Sequence, residues 1–278
     1  MSFVTAVARA RKDYDAPMSL SPNSLKEIDW WRTNILEASS PIYRPNPTVT
    51  MSTDASLQGW GACRDLVRTG GLFSEAEVDE SHINHLEARA VGFGLAALCS
   101  DVFNTHILVL TDNTSTVGGI NNMGSSKSFQ LDFEVKIIWE WILTRRNWIT
   151  ATHIPGRLNI EADEESRRTE TRTEWKLNED DFNRVIEYFL FQPNVDLFAS
   201  RINTQLARFF AYRPDPEAEA IDAFTLSWGS IKFYAFPPFN CIDRVLQKVI
   251  EDEATGILVV PDWPSQFWYH MFDDFDHH

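Results

Sequence analysis

The chain has 278 residues, a length that favours two domains over one. A hydrophobic content of 44%, with 13% aromatic residues, excludes global disorder, and no apolar run approaches the ~20 residues that span a bilayer. Three widely spaced cysteines without a CxxC pair argue against a disulfide framework or a zinc knuckle. Because the first residues also lack the apolar core of a secretory signal, we expect an intracellular protein of the cytoplasm or nucleus, with no membrane partner.

The formal net charge of −15 makes the chain strongly acidic. Residues 1–170 contribute −6 (16 basic against 22 acidic residues), and residues 171–278 contribute −9 (9 against 18). Such a charge disfavours tight binding of a polyanion and predicts a steep dependence of any such binding on salt.

Hydrophobic patterns divide the first part of the chain into an extension and an α/β domain. Residues 1–47 form the extension, in which Ser21 caps a helix before a Pro-rich connector. Alternating β-branched residues and turn formers predict a three-stranded antiparallel meander over residues 48–74. The remaining elements up to residue 170 are predicted, in the order helix, strand, helix, strand, helix, from SHINHLEARAVGFGLAALCS, HILVLTD, FQLDFEVKIIWEWILTRRN, WITATHIP and NIEADEESRR. This order indicates a mixed sheet with helices on its faces.

A polar stretch near residue 170 marks a domain boundary, and residues 175–278 alternate again between helical and strand patterns. The strands are predicted in VDLFAS, KFYAF and GILVVP, and the helices in DDFNRVIEYFLF and CIDRVLQKVIEDE. This alternation predicts a second, small α/β unit.

Four acids of the first domain stand where the predicted elements let them converge. Asp54 ends the first strand, and Asp112 follows a buried strand, at the edge where open α/β sheets place their sites. Glu87 lies within the apolar stripe of its helix, and burying a carboxylate is costly unless a cation compensates it. Asp163 opens the last helix. Each acid also has an ordinary structural interpretation. Asp54 and Asp112 could form turns at strand ends, Glu87 could lie at the edge of the apolar stripe in contact with water, and Asp163 could cap its helix.

The sequence around these acids resembles the RNase H domains of retrotransposon polyproteins, most closely those of DIRS-like elements. The resemblance covers residues 48–168, and its motifs are TDASLQGWGA, INHLEARAV, LTDNTSTVGGIN and HIPGRLNIEADEESR. It implies an RNase H-like fold with a mixed five-stranded sheet and flanking helices. It also implies that Asp54, Glu87, Asp112 and Asp163 are the catalytic, metal-binding carboxylates of the family. His153 would then be the histidine that assists proton transfer or product release, although it could simply close its strand.

Clustered carboxylates without His or Cys ligands suit Mg²⁺, with Mn²⁺ able to substitute. Two such ions, about 4 Å apart, would support in-line hydrolysis of a phosphodiester. The resemblance implies the RNA strand of an RNA–DNA hybrid as substrate and a reverse transcriptase domain, in cis or in trans, as partner. Ser56, Asn113 and Arg157 are candidates for contacts with the nucleic acid.

The second unit resembles Dam-like adenine methyltransferases over residues 195–261, through VDLFASRINTQ, DAFTLSW, FPPFNCIDRVLQKV and GILVVP. That resemblance implies a Rossmann-like fold and suggests Asp196, Pro237, Pro238 and Phe239 as cofactor- or base-binding residues. Phe236 stands where the family has the Asn or Asp that accepts a hydrogen bond from adenine, and phenylalanine cannot do so. We therefore expect that this unit does not methylate adenine and does not bind S-adenosylmethionine.

Two other functions stay open from the sequence. A non-catalytic scaffold or nucleic-acid-binding protein derived from a retroelement is favoured by the acidic charge and opposed by the complete set of four acids. An adenine DNA methyltransferase with an accessory RNase H fold is opposed by Phe236.

Overall fold

The computed structural model describes residues 19–37, 39, 41, 43–79, 82–125, 128–168 and 175–274. Residues 1–18 of the predicted N-terminal extension and residues 169–174 of the polar boundary lie outside the described residues. Within the described ranges, no helix combines the length and the apolar character needed to cross a membrane.

A five-stranded mixed sheet organises the first part of the chain. Its strands are β1 (Val49–Ala55), β2 (Gly59–Arg64), β3 (Val67–Leu72), β4 (His106–Thr111) and β5 (Trp148–His153). The strand order is β3-β2-β1-β4-β5. The first three strands pair antiparallel, whereas β4 pairs parallel with both β1 and β5. The predicted meander and the mixed five-stranded sheet are therefore confirmed.

Helices flank this sheet. They are α1 (Pro22–Asn34), α2 (Glu75–Asp79), α3 (Ile83–Leu98), α4 (Thr114–Asn121), α5 (Phe129–Thr144) and α6 (Ile160–Ser166). Helices α2 and α4 were not predicted from the sequence patterns. The α4 sequence contains two adjacent glycines and β-branched residues, which have low helix propensity. The Asn113 side chain compensates by accepting a hydrogen bond from Thr116 N at 3.0 Å, which caps the first turn.

The two helices that carry acids lie on opposite faces of the sheet. Successive residues of a strand point to opposite faces. On β2, the position of Ala62 contacts α3 at Gly94, whereas Gly61 contacts the backbone of α6. The buried core forms mainly beneath α3 and α5, with Leu86, Leu95 and Ile138 as fully buried members. The first three strands thus separate a thick hydrophobic layer from the thin layer made by α6.

Helix α1 exposes most of its apolar side chains. Leu25, Ile28, Trp31 and Ile35, which share helical spacing, are each more than half exposed. A contact of 3.4 Å between Lys136 Nζ and Glu27 Oε1 joins α1 to α5. The predicted helix is therefore present, but its apolar residues do not join the main core.

The second unit contains a parallel three-stranded sheet, in which Lys232–Ala235 lies between Thr255–Leu258 and Val195–Asp196. Its elements are α7 (Glu179–Phe189), β6 (Val195–Asp196), β7 (Phe210–Ala211), β8 (Ala220–Ile221), β9 (Lys232–Ala235), α8 (Ile242–Glu251) and β10 (Thr255–Leu258). Val195, Phe233 and Val245 form a separate core around Trp228, which is fully buried. The two helices and β6, β9 and β10 overlap the predicted stretches, whereas β7 and β8 lie where a loop was predicted. The Rossmann-like, methyltransferase-type assignment of the unit stays a prediction.

Candidate metal centre

Three of the four predicted carboxylates meet at one edge of the large sheet. Asp54 is near the end of β1, Asp112 directly follows β4, and Glu87 is in the second turn of α3. One ligand oxygen from each lies within 4.8 Å of those of the other two. Because β1 and β4 are parallel neighbours, their carboxyl ends lie side by side, and α3 brings Glu87 over that edge. The topology therefore accounts for the convergence.

Glu87 is the most deeply buried of the three, with 4% of its surface exposed. Burial, and then the nearby charges of Asp54 and Asp112, raise the pKa of Glu87 to about 8, although hydrogen bonds from Ala55 N and the Thr111 hydroxyl oppose the shift. Its Oε2 atom is buried and has no hydrogen-bond partner among the described residues. A buried carboxylate oxygen without a hydrogen-bond partner, on a side chain that belongs to a cluster of acids, is a group that a cation would compensate.

Asp54 is held in place by α6. The Ser166 hydroxyl donates a hydrogen bond of 2.7 Å to Asp54 Oδ2, and Asn159 Nδ2 donates one of 2.9 Å to Thr53 O on the same strand. Burial raises the pKa of Asp54, and the Ser166 hydrogen bond lowers it in part, while Asp112 and Asp163 raise it further. Ser166 and Asn159 were not among the site residues predicted from the sequence. Ser166 lies three residues after Asp163, a spacing that puts both side chains on one face of a helix and was the available signal.

Asp112 contacts the loop that follows β5. A Cβ atom added to Gly156 would lie 2.7 Å from Asp112 Oδ2, so this glycine allows the loop to approach the carboxylate. Asp112 itself is half-buried and therefore reachable from solvent.

Asp163 lies beside the cluster rather than within it. In α6 it is half-buried, and its Oδ1 accepts a hydrogen bond of 2.7 Å from Arg167 Nε. Its charge contributes to the raised pKa of Asp54, which shows that the two carboxylates are electrostatic neighbours. His153 is exposed at the end of β5, where it pairs in register with Thr111, the residue before Asp112. The metal-binding role of Asp163 and the catalytic role of His153 stay predictions.

The three candidates for nucleic-acid contacts differ in how far their side chains are already engaged. The Ser56 hydroxyl donates to Ser166 O at 2.8 Å, so it helps to join β1 to α6. Asn113 caps α4 and also donates from Nδ2 to Asn84 Oδ1 at 2.8 Å. Arg157 is exposed in a short 3₁₀ turn before α6. Of these three candidates, Arg157 is the one that presents a charged side chain to solvent, and it follows Gly156, which contacts Asp112.

The candidate residues of the second unit have structural partners. Asp196 is buried and accepts hydrogen bonds from Gln205 N at 3.1 Å and Phe198 N at 3.4 Å, while burial raises its pKa to about 6. Phe239 lies in an aromatic group, with ring centroids 6.0 Å from Trp175 and 5.0 Å from Trp263. Pro237 and Pro238 connect β9 to this group. A role for these residues in binding a cofactor stays a prediction.

The donor set of the cluster fits a hard divalent cation. All three groups offer carboxylate oxygens, and no His or Cys is part of the described cluster. Mg²⁺ and Mn²⁺ prefer such ligands, whereas zinc sites normally include nitrogen or sulfur. Burial first, and then the repulsion from Asp54 and Asp112, disfavour the charged form of Glu87, and a bound cation would offset both. Asp54, Glu87 and Asp112 are therefore able to hold a divalent metal.

Comparison with known proteins finds similarity only among solved structures. No family model matches the sequence. No curated protein matches it either. Among solved structures, RNase H1 from Halobacterium salinarum NRC-1 aligns at 17% identity and a TM-score of 0.35, over 42% of this chain and 92% of that chain. LC11-RNase H1, solved in complex with an RNA/DNA hybrid, aligns at 18% identity and a TM-score of 0.36, over 42% and 93%. The foamy viral protease-reverse transcriptase aligns at 13% identity and a TM-score of 0.33, over 55% of this chain and 22% of that chain.

Proposed function

We propose that the chain is a metal-dependent endoribonuclease that hydrolyses the RNA strand of RNA–DNA hybrids. The observation that carries the proposal is the convergence of Asp54, Glu87 and Asp112, whose ligand oxygens lie within 4.8 Å of one another. A surface loop tolerates a group of acids easily, but here two of the three carboxylates are at least 95% buried, a placement that is costly without a cation.

The chain's own residues would do the following. Asp54, Glu87 and Asp112 would hold one Mg²⁺ or Mn²⁺, and Asp54 with Asp163 would hold a second. Bound there, the two ions would supply an activated water and charge stabilisation for the leaving 3′-oxygen. The Ser166 hydrogen bond would keep one oxygen of Asp54 oriented. His153, exposed beside the end of β4, would be free to exchange protons with solvent during product release.

The resemblance to retrotransposon polyproteins extends the proposal to a biological setting. In it the nuclease degrades RNA after DNA synthesis by a reverse transcriptase domain, in cis or in trans. A polymerase that holds the hybrid would also compensate for the net charge of −15, which weakens the chain's own attraction to a polyanion.

The proposal predicts cleavage of a labelled RNA–DNA hybrid by the full chain in the presence of Mg²⁺ or Mn²⁺, with no cleavage in EDTA. Duplex DNA of the same sequence should stay intact because it lacks the 2′-hydroxyls that mark the scissile strand. Duplex RNA should be cut at least about tenfold more slowly, since its second strand does not adopt the shape of the DNA strand in a hybrid. Product ends and rates are read on a denaturing gel at low salt.

Three results are informative. Metal-dependent cleavage limited to the hybrid supports the proposal. Equal cleavage of all three duplexes would point to a nonspecific nuclease and contradict the proposed substrate. Failure to cut any of them, also after addition of a reverse transcriptase, would favour the scaffold interpretation.

A further inference from the structure

A short segment of the second unit reaches across to the first unit. It runs from residue 201 to residue 215, and we call it the bridging segment. Its ends are tied together, because Asp215 Oδ2 accepts a hydrogen bond from Arg201 N at 3.0 Å. Closing the segment in this way presents two arginines, Arg201 and Arg213, to the edge of the large sheet.

Arg213 binds the helix that carries Asp163. Its Nη1 donates to Glu165 Oε2 at 2.8 Å, and its Nη2 donates to Arg68 O at 2.8 Å. The Glu165 side chain is only 8% exposed. Arg168 Nη1 of the same helix end also lies 3.5 Å from Glu165 Oε1, so Arg213 supplies the shorter of two ion pairs to this carboxylate. Because Glu165 is buried, losing that shorter pair costs more than losing a surface pair.

Arg201 anchors the same segment nearby. Its guanidinium forms an ion pair with Glu77 of α2, donates to Leu72 O at 3.3 Å, and lies 4.4 Å from the centre of the Phe93 ring. The Thr69 hydroxyl on β3 donates to Pro214 O within the segment. The bridging segment is therefore fixed to α2 and β3 at its Arg201 end, and to β3 and α6 at its Arg213 end.

Helix α6 transmits this contact to the metal cluster. Glu165 is adjacent in sequence to Ser166, whose hydroxyl binds Asp54 Oδ2, and lies two residues after Asp163. Within the first unit, α6 is also held by Asn159, which binds β1, and by Arg68, which pairs with Glu161 and Glu164. The contact with Arg213 adds a restraint from outside the first unit, at the Glu165 side chain.

We propose that Arg213 is a positioning residue: through Glu165 it holds α6 against the sheet and so places Asp163 and Ser166 beside Asp54. The second unit thereby acts as a built-in support of the candidate metal centre. The consequence for metal binding rests on the proposed function, whereas the effect on α6 does not.

The first test is hydrogen exchange of the metal-free full chain. In Arg213→Ala, amides of residues 160–166 should exchange about tenfold faster than in the wild type, while those of α3 should be unchanged. Arg213→Lys, which keeps the charge near Glu165, should restore part of the protection. Arg208→Ala is the matched control, because Arg208 pairs with Glu219 inside the second unit. Unchanged exchange of residues 160–166 in Arg213→Ala would overturn the proposal, as would faster exchange spread equally over α3.

The second test is titration of Mn²⁺ into the same folded variants. Arg213→Ala should bind Mn²⁺ several-fold more weakly than the wild type, and Arg208→Ala should not differ from it. A role limited to overall stability would lower the unfolding temperature without this loss of affinity. Equal Mn²⁺ affinity in Arg213→Ala and wild type would contradict a role in positioning the site. If the wild type binds no Mn²⁺, the proposed function fails, and hydrogen exchange alone still decides whether Arg213 holds α6.

Discussion

Asp112→Asn is expected to reduce metal-dependent hybrid cleavage about 10³-fold, because a ligand contribution of several kcal/mol is lost from the transition state. Asp112 is half-buried at the end of β4 and contributes one of the three converging carboxylates. Asparagine has nearly the same shape, and it removes one of the negative charges that repel each other around Glu87. The unfolding temperature of the metal-free variant should therefore equal or exceed that of the wild type.

The control for this prediction is Asp101→Asn, which removes an exposed acid paired with Arg64 in the same unit at 3.2 Å. It should cleave hybrid at the wild-type rate. Rates of the three proteins are compared under single-turnover conditions with Mg²⁺. Retention of more than about a tenth of the wild-type rate by Asp112→Asn would contradict a ligand role for this residue.

Gly61→Ala is expected to destabilise the protein by about 2–3 kcal/mol and to separate α6 from the sheet. A Cβ at this position would lie 2.2 Å from Ala162 O and 2.6 Å from Ser166 N, so it would collide with backbone that has no rotamer to relieve the contact. Because α6 carries Asp163 and Ser166, hybrid cleavage should fall as well as stability.

Gly118→Ala is the matched control, since a Cβ on Gly118 meets no atom within 4 Å. In a helix this substitution should be neutral or stabilising by up to about 1 kcal/mol. The unfolding temperature of Gly61→Ala should fall by roughly 5–10 °C, measured by thermal denaturation followed by circular dichroism. An unchanged unfolding temperature would show that α6 shifts without cost and that the close packing on Gly61 is unimportant.

The large sheet and the positions of its acids could be predicted from the sequence for physical reasons. The alternation in residues 48–74 specifies strands with a buried face, and β1 to β3 follow it. Glu87 stood out because a charged residue within an apolar stripe is buried when the helix docks, and it is 4% exposed. Asp54 and Asp112 stand at the carboxyl ends of two predicted strands. Because those strands are parallel neighbours in the sheet, the two carboxylates lie at the same edge.

Other features depended on information that local patterns lack. Helix α4 forms from a glycine-rich sequence because Asn113 caps it and the core covers it, and capping by Asn also occurs in ordinary turns. The ion pair between Arg213 and Glu165 joins residues 48 positions apart in the chain. The partner of an arginine that far away cannot be identified from local sequence patterns. The two-residue strands of the second unit are set by tertiary packing rather than by propensity.

Because the pKa of Glu87 is raised, metal binding at this site should depend on pH. A carboxyl whose pKa is about 8 in the folded chain and 4.5 ordinarily binds its proton more tightly when folded. Its contribution to the stability of the metal-free chain is fully present below pH 4.5 and is lost as the pH rises through about 8. Since a ligand oxygen must be deprotonated, Mn²⁺ should bind more tightly at pH 7.5 than at pH 6.

The most direct measurement is the shift in unfolding temperature caused by Mn²⁺ at pH 6 and pH 7.5, in the wild type and in Glu87→Gln. A metal at about 100 times its Kd stabilises the folded state by about 2.7 kcal/mol, which is readily measured. The metal-centre assignment predicts a rise in the wild type that is larger at pH 7.5, and little or no rise in Glu87→Gln. No shift in the wild type, or an equal shift in Glu87→Gln at both pH values, would contradict the assignment of Asp54, Glu87 and Asp112 as a metal centre.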